Sequence, residues 1–268
     1  MIRVAVIDDH EIIRLGLSVA IGAADDLDLA GTYSSIEEYG QRVVERPDIA
    51  ILDLGLAGLE GPEAVAFLVR EGLPVLVVSA TGSRQMVLTA IAAGAVGYLT
   101  KRTGSSEIMQ AVRTIHDDGC HVSPTLAAFV RAHLRAVEGP DAISDTEDEV
   151  LTLVAQGESP AGVASLLGID SSAGVMVILQ RTLAKTRNTF GGTTALSSRE
   201  REVLLQVVRG RTSDEIAADL GLSPKTVGTY RRRIAAKTGA HKQTDLARFA
   251  YESGILRPGE LNGDTSHG

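Results

Sequence analysis

Five side chains in this sequence have the types and the spacing to handle a phosphoryl group. Asp8 and Asp9 follow the apolar run RVAVI (3–7), and Asp53 stands at the end of a second such run, within IAILDL (49–54). Ser79 lies at the end of PVLVVSA (74–80), and Lys101 directly follows GYLT (97–100). Three carboxylates brought together repel one another and raise one another's pKa unless a cation joins them. A hard divalent ion such as Mg2+, which takes oxygen ligands and keeps several waters, is the natural solution. An ion held beside one free carboxylate oxygen can neutralise a phosphoryl group while that oxygen attacks it. Lys101 would neutralise another phosphoryl oxygen, and the Ser79 hydroxyl would donate to a third. Singly, an Asp at a strand end reads as a helix cap, and a Lys there as a solvated charge. The coincidence of five is what points to chemistry.

Such residues meet only if the segments that carry them lie side by side. The first 120 residues alternate strand and helix patterns: RVAVI before a helix from Glu11, LDLAGTY (27–33) before a helix over 35–46, IAILDL before 62–71, PVLVVSA before 84–93, and GYLT before 107–117. Five strands, each followed by a helix, predict an α/β unit with a doubly wound, five-stranded parallel sheet. Ligands of such sheets bind at the carboxyl ends of the strands, where all five residues fall. Ser123 as N-cap with Pro124 at the first helical position then starts a helix that Gly139-Pro140 stops, so residues 121–142 read as a partly helical linker.

From 143 onward the pattern is all-α and it repeats. A shift of 53 aligns ISDTEDEVLTLVAQG (143–157) with LSSREREVLLQVVRG (196–210), and VASLLG (163–168) with IAADLG (216–221). One residue less in the next turn makes the shift 52, which places GVMVILQRTLAKT (174–186) on TVGTYRRRIAAKT (226–238). Two copies are too few for a solenoid, so the pattern reads as a tandem duplication of a small helical domain. The two copies differ in charge. The whole chain carries −8, but residues 196–251 hold 11 Lys and Arg against 6 Asp and Glu, while residues 141–187 hold 3 against 7. Only the second copy suits a polyanion.

Helix starts in the second copy are explicit. Ser197 with Glu200 and Thr212 with Glu215 fit capping boxes, Ser223 caps the next helix before Pro224, and Gly221 makes the sharp turn of a helix-turn-helix. The helix from Pro224 to about Thr238 carries Lys225, Arg231, Arg232, Arg233 and Lys237, with Thr229, Arg232 and Arg233 on or near one face. A basic-faced helix after such a turn suits the major groove of DNA.

VIDDH, ILDLGLAGLEG, VLVVSA and GYLTK resemble the receiver domain of bacterial two-component response regulators. The resemblance implies that Asp53 accepts a phosphoryl group from a sensor histidine kinase, that Asp8, Asp9, Asp53 and the Gly55 carbonyl serve Mg2+, and that Ser79, Tyr98 and Lys101 sense the phosphate. Ala57 stands where that family usually has Pro. Residues 196–254 resemble the LuxR-type DNA-binding domain of NarL/FixJ response regulators. That resemblance puts Gly228, Thr229 and Arg232 near bases, Lys225, Thr226 and Tyr230 near the backbone, and a dimer helix at about 244–253; Gly228 replaces a common Lys. The expected organisation is a receiver (1–120), a linker helix (121–142), a degenerate helix-turn-helix (143–190), a DNA-binding helix-turn-helix (191–255) and a disordered tail (256–268).

In the first copy Met176, Val177, Ile178 and Leu179 make the corresponding helix apolar almost all round, so it must be buried or docked. We expect it to pack, against the basic copy or in a dimer; the rival reading is a second DNA contact. The lone Cys120 excludes an internal disulfide framework, and no apolar run is long enough to span a bilayer. Acidic residues within the first ten positions speak against a secretory leader. The expectation is a cytoplasmic, homodimeric transcriptional regulator of a bacterium, without enzymatic turnover or membrane contact. A protein-binding adaptor, a regulator that ignores phosphorylation and a Mg2+-dependent hydrolase are the competing classes.

Overall fold

The computed structural model describes residues 1–56, 61–80, 82–190, 196, 198–238, 240, 242–252 and 255–256; the side chains at 198, 236, 237 and 252 are also outside the described set. The chain divides into two compact units, residues 1–190 and 191–268.

In the first unit, strands β1 (Ile2–Ile7), β2 (Leu27–Tyr33), β3 (Ile49–Leu52), β4 (Val75–Ser79) and β5 (Gly97–Thr100) form one parallel sheet in the order β2-β1-β3-β4-β5. Helices α1 (Glu11–Gly22), α2 (Ile36–Arg42), α3 (Pro62–Arg70), α4 (Arg84–Ala92) and α5 (Ser105–Asp118) alternate with the strands. Successive strand residues point to opposite faces, so the sheet feeds two cores. Val4, Val6, Ile51, Leu76 and Val78 pack with Leu17 and Ile21 of α1 and Ile108, Val112 and Ile115 of α5. Ala5, Ile7, Leu52, Val75 and Val77 pack with Val65 and Leu68 of α3 and Val87 and Ile91 of α4.

Helix α2 is shorter than the 35–46 expected from its pattern. It stops at Arg42, and Val43 is extended. The β-branched pair Val43-Val44 and the residue before Pro47 both disfavour continuation.

The stretch expected as a linker is part of the core. After α5 the chain runs back along β5: His121 N donates to Val96 O (2.9 Å), and the Ser123 hydroxyl donates to Tyr98 O (3.1 Å). Ser123 then caps α6 (Pro124–Leu134), which ends well before Gly139 and buries Leu126, Ala127, Val130 and Leu134. Helices α7 (Asp145–Ala155), α8 (Pro160–Leu167) and α9 (Ser172–Phe190) complete this unit, and α9 packs against α4. Their apolar side chains join the same core cluster as the α4 face of the sheet.

The second unit holds α10 (Ser198–Val208), α11 (Ser213–Leu220), α12 (Pro224–Thr238) and α13 (Gln243–Glu252) around Val203, Leu204, Val207, Ile216, Val227, Ile234 and Leu246. The bounds of α7 and α8 plus 53 are those of α10 and α11, and α9 and α12 start 52 apart. Gly168 and Gly221 end their helices at φ of +67° and +65°, the left-handed region that glycine enters without a Cβ clash. Among the described residues no single helix is long and apolar enough to cross a membrane. The expected tail, apart from Leu256, lies outside the described residues.

Candidate functional site

Asp8 sits just past β1 and Asp53 just past β3; the two strands are neighbours, so the carboxylates meet. Both are 3% exposed. Lys101 follows β5 and crosses the edge to them: its Nζ lies 2.7 Å from Asp8 Oδ2 and 2.9 Å from Asp53 Oδ2. Its backbone N–H donates to Ser79 O (2.9 Å), fixing the base of the side chain. Burial alone would depress the Lys101 ammonium, but hydrogen bonds and charge from Asp8 and Asp53 outweigh it and hold the pKa above the usual lysine value.

The other Asp53 oxygen, Oδ1, is buried and has no hydrogen-bond partner among the described residues. An orphaned carboxylate oxygen is costly in a folded protein unless a ligand uses it. One ligand atom each from Asp8, Asp9, His10 and Asp53 lies within 4.8 Å of the others. This oxygen-dominated set fits a hard divalent cation. Asp9 is more open and lies 2.6 Å from His10 Nδ1, which is also 3.4 Å from Lys101 Nζ. Gly55 follows closely enough that a Cβ there would stand 3.3 Å from Asp53 Oδ2. Ala57 lies outside the described residues.

Ser79, 3% exposed, ends β4 opposite Thr100. Tyr98 lies inside, 2% exposed and beside Ser79. Burial pushes its phenol up to about 12, so it remains a neutral donor at any ordinary pH. The structure thus brings Asp8, Asp9, Asp53, Ser79 and Lys101 to one edge. Sequence reasoning missed His10, although it ends the quoted VIDDH. It also missed Arg14, whose guanidinium donates to Asp8 O (2.6 Å); its signal was one helical turn beyond that motif.

In the second unit α12 exposes Lys225, Arg231, Arg232 and Arg233. Arg231 reaches the Ser213 hydroxyl (3.3 Å). Thr226 is 2.8 Å from the Ser223 hydroxyl at the helix start, Thr229 donates to Lys225 O (3.1 Å), and Tyr230 packs on the small core. The capping box expected at Thr212 and Glu215 is present. Ser197 and the Lys237 side chain lie outside the described residues.

The first copy spends its cations internally. Arg181 Nε is 2.7 Å and Lys185 Nζ 2.8 Å from the two oxygens of Glu147, which is fully buried. Gln180, at the position of Arg232, donates from its side-chain amide to the Asp118 carbonyl at the end of α5. Met176 and Leu179, at the positions of Gly228 and Arg231, are 4% and 2% exposed.

Comparison with known proteins agrees with this division. The family described as "Response regulator receiver domain" matches residues 4–113, and "Bacterial regulatory proteins, luxR family" matches residues 194–250. The DNA-binding transcriptional activator DevR/DosR of Mycobacterium tuberculosis is 30% identical over 262 residues, covering 96% of this chain and 98% of that protein. Response regulator GacA of Pseudomonas viridiflava is 28% identical, with 96% and 98% covered. A solved structure of RcsB from Salmonella enterica serovar Typhimurium, bound to promoter P1flhDC with the phosphomimetic BeF3−, shares the fold: its TM-score is 0.50 at 14% identity, covering 94% of this chain and 98% of that one. With an acidic sheet edge at one end and a LuxR-type helix-turn-helix at the other, the chain belongs to the NarL/FixJ-type response regulators.

Proposed function

We propose that this chain is a cytoplasmic transcriptional response regulator in which Asp53 is the phosphoacceptor and α12 the DNA-reading helix. The observation that carries the first assignment is the buried Asp53 carboxylate, with one oxygen tied to Lys101 and the other unpartnered among the described residues. A carboxylate oxygen of Asp53 attacks the phosphorus of a kinase phosphohistidine; the P–N bond breaks and the imidazole departs. Lys101 then turns its ammonium to a phosphoryl oxygen, and the Ser79 hydroxyl donates to another. Asp8, Asp9, Asp53 and the Gly55 carbonyl would hold Mg2+, which supplies positive charge against the carboxylates and the phosphoryl oxygens. Tyr98, packed beside Ser79, follows that hydroxyl.

For DNA, the comparison between copies refines the assignment. Arg233 occupies the place of Arg181, and the nearly buried Glu200 that of Glu147. Arg233 is nonetheless exposed like its neighbours, so Lys225, Thr229, Arg231, Arg232 and Arg233 are the groups proposed for the duplex, with Thr226 and Tyr230 beside them and Lys237 included on its sequence position alone. Gel-shift titration tests this reading on a promoter found by footprinting. Arg232→Ala should weaken binding by about 1–3 kcal/mol if it reads a base. Arg181→Ala, in the first copy, should leave affinity unchanged. Asp53→Asn should yield no acyl phosphate with a small phosphodonor. Equal phosphorylation of the Asn variant, or an unaffected Arg232→Ala, would reject the corresponding half. A homodimer through α13 completes the proposal, and a dimer interface mapped elsewhere would remove it.

A further inference from the structure

Helix α4 has no open apolar face. Val87, Leu88, Ala90 and Ile91 are buried, and Met86 and Ala92 are half-buried. The sheet accounts for one side of the helix; α6 and α9 pack on it as well. On α9, Met176, Leu179, Gln180 and Leu183 follow the i, i+3, i+4, i+7 spacing of a single stripe. The three apolar members are buried, and Gln180 reaches the end of α5. At the equivalent positions of α12 stand Gly228, Arg231, Arg232 and Ala235. The stripe that presents arginines in one copy is the stripe that the other turns to the receiver.

The seat is wired to the phosphoacceptor edge at two points. Four residues, 80–83, separate Ser79 from the start of α4. Tyr98, which lies beside Ser79, accepts the Ser123 hydroxyl through its own carbonyl at the start of α6. Any displacement of Ser79 toward a phosphoryl group on Asp53 therefore acts on both surfaces that carry α6 and α9.

We infer that the first helical copy is a cis-acting cover whose seating on α4 and α6 is thermodynamically coupled to the phosphoryl state of Asp53. While seated it closes that receiver face to a second chain. The inference rests on the reading of Asp53 as the phosphoacceptor. Coupling between two sites is reciprocal: if the phosphoryl group alters the seat, altering the seat must change affinity for the phosphoryl group.

The test uses the full chain, Mg2+ and beryllium fluoride as a stable phosphoryl mimic, with hydrogen exchange over α6 and α9 and a binding titration. In the wild type, saturation with the mimic should change amide exchange across α9 at least fivefold. Leu179→Arg, which restores the cation found at Arg231, should unseat α9 and shift affinity for the mimic by fivefold or more, within the usual range of allosteric coupling. Leu179→Met should behave as wild type. Gln180→Ala, at an exposed side chain, should move both readouts in the same direction by less, and serves if the arginine variant does not fold. Binding of the mimic with unchanged α6 and α9 exchange, and unchanged affinity in the variants, would overturn the coupling alone. A wild-type chain that binds no mimic would overturn the phosphoacceptor reading and the coupling with it.

Discussion

Glu147 has no exposed surface, yet it is the acceptor for two cations of the same helix. Burial by itself would keep the proton on, but the hydrogen bonds from Lys185, Ser144 and Arg181 outweigh it and hold the carboxyl at about 2, below the usual 4.5. A folded-state pKa below the unfolded one means the contribution is complete above about 4.5 and disappears as the pH falls toward 2. The gap corresponds to at most roughly 3 kcal/mol. Glu147→Gln should therefore lower stability by about 2–3 kcal/mol at pH 7 and flatten the pH dependence between 5 and 2. Urea unfolding at a series of pH values checks it, and equal acid sensitivity of variant and wild type would contradict the pairing. Lys101 obeys the same electrostatics at the functional edge. There the shared carboxylates Asp8 and Asp53 leave Asp53 Oδ1 without a partner among the described residues, and that difference separates a structural charge cluster from one poised for a ligand.

Helices α7–α9 and α10–α12 show how much an element is worth apart from its surface. Caps, turn glycines and inward residues recur at constant offsets: Ser159 and Thr212 cap, Gly168 and Gly221 turn, Val175 and Val227 face inward. What changes is the outer stripe, and with it the partner. Gly228 on α12 breaks the helical pattern at small structural cost, because a Cβ there meets nothing within 4 Å and its φ is not positive. Gly228→Ala should stabilise the C-terminal unit by about 0.5–1 kcal/mol through helix propensity. Gly221→Ala, at φ +65°, should destabilise it. Thermal unfolding of both variants distinguishes them, and a destabilised Gly228→Ala would show that the position holds a strained backbone or a close neighbour.

Across the whole chain, the first copy shares its core with the receiver. Leu183 is fully buried in the cluster that also contains Val77, Val87 and Tyr98. Leu183→Ala should cost about 2–5 kcal/mol, as a cavity in a packed core does. It should do so in the same cooperative transition that reports the receiver, leaving that of residues 191–268 in place. Hydrogen exchange under mild denaturant separates the two, and loss of protection confined to α7–α9 would mean that the copy is an independent domain.

The chain itself determined the doubly wound sheet, because continuous apolar runs that alternate with helical patterns, and strand-end carboxylates, are local signals that survive any arrangement of the rest. Asp8, Asp9, Asp53, Ser79 and Lys101 could be assembled from strand order alone. The basic helix and its caps were equally legible, since a capping box and a left-handed glycine act within four residues. The shortened α2, the core role of α6 and the partner of α9 were not. Met176, Leu179 and Leu183 announce that a face must be covered, but the hydrophobic effect has no direction and names no partner. Only the return of the chain along β5, through His121 and Ser123, sets that stripe against α4. Contacts between segments so far apart in sequence depend on the geometry of everything between them, and that is what tertiary structure decides.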